Sequence, residues 1–264
     1  MTSNMKIQYA SDLHIEFQAN RAWLFEHGLV PSADILVLAG DVAYLGDRQL
    51  MHNEYFDSLS DNYEQVLIVP GNHEYYRGYE LRDTLFDFEL NIRDNVRYLN
   101  NRSVVIGDTK LFFTTLWSKV PNVYIADIQN GMMDTRLICY KNALLFAGEY
   151  NELHRICASW LKDAVESSTA RHKVVVTHHC PTFNPAFNDY PGSRLNCGFL
   201  VDMDDFIIGH TDIDYWIFGH THYNGRTVAG KGLTIGQTRL LTNQLGYIRK
   251  EEQKGFNQQA IITL

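Results

Sequence analysis

QVLIVPGNHE, residues 65–74, runs from an apolar, branched stretch through a Pro-Gly pair into an amide, an imidazole and a carboxylate. A short apolar run closed by a turn reads as a buried strand, with its polar residues at the carboxyl end. The pattern recurs along the chain. KIQYA at 6–10 leads into Asp12-Leu13-His14, and DILVLAG at 34–40 into Asp41. KVVVTH at 173–178 ends on His178, with His179 next, and DYWIFGH at 214–220 leads into His220-Thr221-His222. A lone Asp or His after a strand is ordinary turn chemistry. Five strand ends that each carry oxygen or imidazole donors are not.

Between the strands lie segments with helical spacing. Leu153, Ile156, Cys157, Trp160, Leu161, Ala164 and Val165 mark one apolar helix face. Leu81, Leu85, Phe88 and Ile92 predict a second helix over 78–93, and 47–62 predicts a weaker one. Strands alternating with helices imply βαβ units in a largely parallel sheet, whose functional crevice lies beyond the carboxyl ends of the strands. The short runs 104–106, 110–116, 225–229, 232–236 and 239–242, joined by tight Gly or Asp turns, read as antiparallel. The expected architecture is α/β, with two sheets packed face to face and helices outside. Residues 117–141 and 179–200 are rich in Asn, Asp, Tyr, Gly and Pro, and are expected to be lid-like binding loops. No linker-like composition divides the chain, so one domain over 1–264 is expected.

Composition narrows the function. The formal charge is −8, with no Lys/Arg run suited to tracking a phosphate backbone, so stable binding of duplex nucleic acid is not expected. An acidic chain can still handle an anionic substrate when bound cations reverse the local field. Cys139, Cys157, Cys180 and Cys197 form no C-x-x-C pair, and the N-terminus has no apolar signal core. A cytoplasmic protein without a membrane span follows, with its oligomeric state open.

Carboxylate, amide oxygen and imidazole without thiolate suit manganese, iron or zinc better than an all-oxygen calcium site. The donors outnumber what one ion takes. Two ions about 3.5–4 Å apart form the clamp used for in-line displacement at phosphorus.

At these residues the sequence resembles the calcineurin-like metallophosphoesterase superfamily, and its small bacterial-type members in particular. The order D-x-H, G-D, G-N-H-[DE], an isolated H and G-H-x-H is met in full from Tyr9 to Tyr223. The resemblance implies a four-layer αββα sandwich of two mixed sheets. It implies that Asp12, His14 and His222 hold one divalent ion, that Asn72, His178 and His220 hold the other, and that Asp41 bridges both. Manganese leads the candidates, with iron, zinc, nickel or magnesium also open. It further implies that His73 stays off the metals, binds the substrate phosphate and protonates the leaving oxygen while a metal-bridging hydroxide attacks. Asp41, Asn72 and His73 are thus the candidate catalytic residues. The i, i+2 spacing of Asp12/His14 and His220/His222 would turn both members of each dyad to one side of an extended chain.

The expected substrate is a small phosphodiester of nucleotide type, with a phosphomonoester as the alternative and a catalytically silent metal scaffold as the competing class. Gly40-Asp41-Val42-Ala43-Tyr44-Leu45-Gly46-Asp47-Arg48 departs from the G-D-x-V-D-R-G of the family's protein phosphatases, which disfavours that activity. Candidate substrate contacts are Asn72, His73, Tyr75, Tyr76, Arg77, His179, Asn184, Asn188, Arg194 and the segment 122–134. For His179 a contact to ligand or substrate stands beside plain packing. Cys180 reads as a small buried hydrophobe, Glu74 as a local hydrogen-bond partner, and His210 as a helix end. His27, His52, His154 and His172 read as solvated. The T-R-x-x-x-N-x-x-G-Y stretch at 238–247 is given a structural role.

Overall fold

A computed structural model describes residues 5–225 and 232–264. Its strands are β1 (Lys6–Ala10), β2 (Ile35–Leu38), β3 (Gln65–Ile68), β4 (Phe88–Arg93), β5 (Val96–Asn100), β6 (Arg102–Ile106), β7 (Thr109–Thr114), β8 (Cys139–Tyr140), β9 (Ala143–Leu144), β10 (His172–Thr177), β11 (Tyr215–Phe218), β12 (Leu233–Ile235), β13 (Thr238–Thr242) and β14 (Ile261–Thr263). The helices are α1 (Gln18–His27), α2 (Arg48–Met51), α3 (Glu54–Asn62), α4 (Ile125–Gly131), α5 (Asp134–Leu137), α6 (Tyr150–Glu166) and α7 (Asp204–Gly209).

Two six-stranded sheets run β14-β1-β2-β3-β5-β4 and β12-β13-β11-β10-β7-β6. They share one design: four central strands are parallel, and each edge strand pairs antiparallel with its neighbour. Strands covered on both faces need continuous apolar sequence, as the unbroken ILVL and VVV runs supply. In β2, Ile35 and Val37 meet Val174, Val176 and Ile217 of the other sheet in the central layer. Leu36 and Leu38 point the opposite way, onto Leu24 of α1 and Phe56 and Leu59 of α3. On the far side, Val175, Trp216 and Leu240 pack under Leu161 and Val165 of α6 and Ile207 of α7. The result is the α/β sandwich, with its metal-donor strand ends on one side.

Three expectations change. The helix over 78–93 is instead a 3-10 turn, Leu81–Thr84, followed by β4 paired to β5. Phe88, Leu90 and Ile92 alternate along β4 and pack on the outer core of the first sheet, so period two prevails over helical spacing there. The runs at 110–116 and 239–242 form antiparallel hairpins with β6 and β12, but their other edges pair parallel with β10 and β11. From residue 226 onward, the short strand read at 225–229 lies outside the described residues. The 47–62 helix is present as α2 and α3, split at His52-Asn53, where Asn53 caps α3.

The segment 117–141 contains α4 and α5, and a satellite core of Trp117, Ile128, Met132, Ile138, Tyr140 and Tyr150 ties it to α6. The segment 179–200 holds two 3-10 turns, Pro185–Phe187 and Arg194–Gly198. Among the described residues no helix is long and apolar enough to cross a membrane.

Candidate dinuclear metal centre

The donors sit where the strands stop. Asp12 and His14 follow β1, Asp41 follows β2, Asn72 follows β3, His178 follows β10, and His220 and His222 follow β11. Asp12, His14, Asp41, His220 and His222 all have φ between 50° and 73°. Left-handed backbone is uncommon for residues with a Cβ, and such strain concentrates where function demands it. It also corrects the extended-chain reading of the two dyads: sharp turns, not strand alternation, bring their members to one focus. Gly40, at φ 88°, lies so close that a Cβ there would be 2.3 Å from His178 Nδ1.

Among the described residues three groups of donors converge, and two of them share Asp41: Asp12, His14, Asp41 and His222, and Asp41, His178 and His220; the third is His14, Glu16 and His73. In the first, His14 Nε2 lies 3.0 Å from His222 Nε2 and 3.8 Å from Asp41 Oδ2, and His222 Nε2 lies 3.3 Å from Asp12 Oδ1. In the second, His178 Nε2 lies 3.0 Å from Asn72 Oδ1, 3.1 Å from His220 Nδ1 and 3.4 Å from Asp41 Oδ1. Donors bound about 2.1 Å from a shared ion stand about 3.0–4.2 Å from one another, so both groups have the right size. Asp41 offers Oδ1 to one group and Oδ2 to the other.

The tautomers follow from the opposite ring nitrogens. His14 Nδ1–H donates to Glu16 Oε1 at 2.9 Å, His178 Nδ1–H to the Ala39 carbonyl at 2.8 Å, His222 Nδ1–H to Glu252 Oε2 at 2.6 Å, and His220 Nε2–H to the Gly198 carbonyl at 3.4 Å. In the neutral ring each bond leaves a lone pair on the nitrogen that faces a focus, the usual means of orienting an imidazole ligand. Around His178 Nε2, these lone pairs meet an amide oxygen and a carboxylate oxygen. Acceptors gathered without a donor among them are what divalent cations require, so the residues fit a pair of ions.

Electrostatics agree. Burial pushes His14 and His220 down to about 4 and His178 well below its ordinary range, so these rings are neutral at cellular pH, as a metal donor must be. Burial also favours neutral His222, yet Asp12 and Glu252 outweigh it and lift this ring to about 9. Burial, then Glu74 and Asp12, pushes Asp41 well above the usual carboxylate range. A neighbouring cation relieves that crowding of negative charge.

His73 stands beside the centre. Its Nδ1–H donates to Glu16 Oε1 at 2.9 Å, and its Nε2 lies 3.1 Å from the Tyr247 hydroxyl. Glu16 thus joins His14 to His73 through one buried oxygen. Glu74 accepts from the backbone N–H of Asp41, Val42, Ala43 and Gly71. It is the local hydrogen-bond partner that the sequence suggested, and it holds together the loops that carry Asp41 and Asn72.

The substrate candidates separate. Tyr75 is fully buried and bonded to Thr84, and Tyr76 bonds Asn72 and Asp134. Arg77 lies exposed over the Tyr44 ring. Arg194 is exposed 3.8 Å from Asp127, Asn184 caps its own turn, and the Asn188 side chain accepts from the Tyr190 N–H. His179 is buried, donates from Nδ1 to the Thr115 carbonyl and packs 4.3 Å from the His220 ring. Cys180 is a buried thiol, and His210 ends α7, as expected. Contrary to expectation, His154 is half-buried, bonded to the Leu116 and Trp117 carbonyls, and His172 is half-buried as the first residue of β10. His27 and His52 are exposed.

Sequence reasoning missed Glu16 and Glu252, took Asp134 only as part of the candidate substrate segment 122–134, and assigned Tyr247 only to structure, although its ring lies 4.4–4.7 Å from those of His222 and His14. Only Glu16 carries a local signal, as the next i+2 step after Asp12 and His14.

Fold and centre together define a metal-dependent hydrolase with a dinuclear site for divalent ions. Residues 5–224 match the calcineurin-like phosphoesterases, and the chain belongs to that family. It is 27% identical to the uncharacterized protein L509 of Acanthamoeba polyphaga mimivirus, over 98% of this chain and 96% of that one. Among solved structures, it resembles a phosphopantetheinyl hydrolase from Mycobacterium tuberculosis with a TM-score of 0.73 at 18% identity, covering 100% of this chain and 97% of the other. The chain is accordingly a metal-dependent phosphoesterase.

Proposed function

We propose that the protein hydrolyses a small phosphodiester, with nucleotide-type compounds favoured, in the cytoplasm. The carrying observation is the pairing of two donor groups across Asp41 with an imidazole, His73, held beside them by Glu16. Asp12, His14, Asp41 and His222 would hold one ion, and Asp41, Asn72, His178 and His220 the other. When bound, the ions supply Lewis acidity and a nucleophile at neutral pH, by lowering the pKa of water to about 7; manganese is the leading candidate.

The chain's own residues supply the rest. Glu16 keeps the proton of neutral His73 on Nδ1, and a second proton on Nε2 makes this ring the donor to a departing alkoxide. Tyr247 faces that nitrogen and marks where the leaving oxygen would bind.

The rim supports the diester. The rings of Phe17, Tyr44, Tyr76 and Tyr247 lie 4.3–6.3 Å from that of His73, surfaces suited to a flat or apolar leaving group. Arg77 and Lys250 lie over the Tyr44 and Tyr247 rings, at 5.7 and 4.7 Å. A monoester dianion calls for cations aimed at phosphate. The four cysteines are unpaired, which suits a reducing compartment.

The test is hydrolysis of bis-p-nitrophenyl phosphate, p-nitrophenyl phosphate and a phosphopantetheinyl diester by stripped protein reloaded with Mn, Fe, Zn, Ni or Mg. Faster turnover of diesters supports the proposal. Preference for the monoester overturns the substrate class, and two bound ions without turnover would make the protein a scaffold.

A further inference from the structure

We infer that Asp134 is a positioning residue that selects the orientation of the Asn72 amide and thereby forms the second metal site. The inference rests on reading Asn72 as a ligand. Asp134 opens α5, in the segment first read as substrate-facing, and is completely buried. Its Oδ1 accepts from Asn72 Nδ2 at 2.8 Å and from the Tyr76 hydroxyl, and its Oδ2 accepts from the Tyr150 hydroxyl.

An amide's two ends have nearly the same shape, so its hydrogen-bond partners decide which way it faces. Tyr76 cannot decide alone. Its hydroxyl lies 2.9 Å from Asn72 Nδ2 and could equally donate to an oxygen placed there. A carboxylate only accepts, so Asp134 admits only the NH2 end. Asn72 Oδ1 is thereby turned toward His178 Nε2, 3.0 Å away, where the second ion would sit. With the amide reversed, two N–H groups would face the lone pair of His178 and the site would lose an oxygen ligand.

The network is closed: both Asn72 N–H bonds are used, one on Tyr76 and one on Asp134, while both tyrosine protons go to the carboxylate. The satellite core that carries α4 and α5 thus has a task at the metal centre beyond covering it.

The test is stepwise Mn2+ binding to chelator-stripped protein by calorimetry, with electron paramagnetic resonance of the coupled pair and a thermal melt for each variant. Asp134→Ala should weaken the second ion about 10–100-fold while leaving the first within about threefold. Asp134→Asn keeps the shape but can present either end of its own amide, and should fall between Ala and wild type. If Asp134→Ala does not fold, Asp134→Asn decides: wild-type affinity for the second ion overturns the inference. General damage would weaken both ions alike, and that result also overturns it. Asn72→Ala separates the underlying reading: retention of both ions there refutes Asn72 as a ligand, whatever Asp134 does.

Discussion

Gly71→Ala should disable the centre through one methyl group. A Cβ at residue 71 would lie 2.2 Å from Asp41 Oδ1, 2.7 Å from the Asp41 nitrogen and 2.7 Å from His178 Cε1. Carbon and oxygen in contact stand about 3.2 Å apart or more, so the carboxylate must withdraw by about 1 Å. Asp41 has little room to do so, because its Oδ1 already accepts from the His73 N–H at 2.9 Å and its backbone N–H is held by Glu74. Misplacement of a reacting group by about 1 Å costs about 100-fold in rate, or close to 3 kcal/mol of transition-state stabilisation. The second ion should leave or bind weakly, since Asp41 and His178 are both displaced. The assay is kcat/KM on bis-p-nitrophenyl phosphate together with bound metal by elemental analysis. Gly209→Ala serves as the control, because a Cβ there meets nothing within 4 Å. Two tightly bound ions and activity within threefold of wild type in Gly71→Ala would refute the assignment of Asp41 to both ions.

His73→Ala should cost about 100-fold or more on diesters with alkoxide leaving groups and far less on p-nitrophenolate esters, which depart without a proton. Equal losses would show that His73 only positions phosphate. Glu74→Gln should deprive at least two of four buried N–H groups of an acceptor, at about 1–3 kcal/mol each. A melting temperature lowered by less than about 2 °C would count against that framework role. His222 carries its proton up to about pH 9 in the folded, metal-free protein, against 6.5 for an unperturbed ring. Its contribution to stability is therefore full below about 6.5 and disappears as the pH rises through 9. The first ion must expel that proton, so calorimetry at pH 7 in buffers of different ionisation enthalpy should show about one proton released. First-ion affinity should also climb with pH and level off near 9, and a flat profile would contradict this.

The donors were legible because each lies within four residues of a buried strand's end, so apolar run, turn and donor are written consecutively. Two sheets with helices outside could be read for the same reason: periodicity is a local property. Residues 78–93 show the limit, since Leu81, Leu85, Phe88 and Ile92 satisfy a helical period while Phe88, Leu90 and Ile92 equally satisfy a strand. Pairing with β5 decided between them.

The hydrogen-bond partners of the site residues were beyond the sequence. Glu252 holds His222 from thirty residues away, Asp134 holds Asn72 across sixty-two, and Tyr247 reaches His73 across 174. Nothing in the text around Asp134 separates it from a surface acid at a helix start. The sequence by itself determined which residues could bind metal, because ligand chemistry resides in side-chain type and local spacing. Only the tertiary structure decided which nitrogen or oxygen of each faces the centre, because that depends on the hydrogen-bond partner that packing brings to the opposite side.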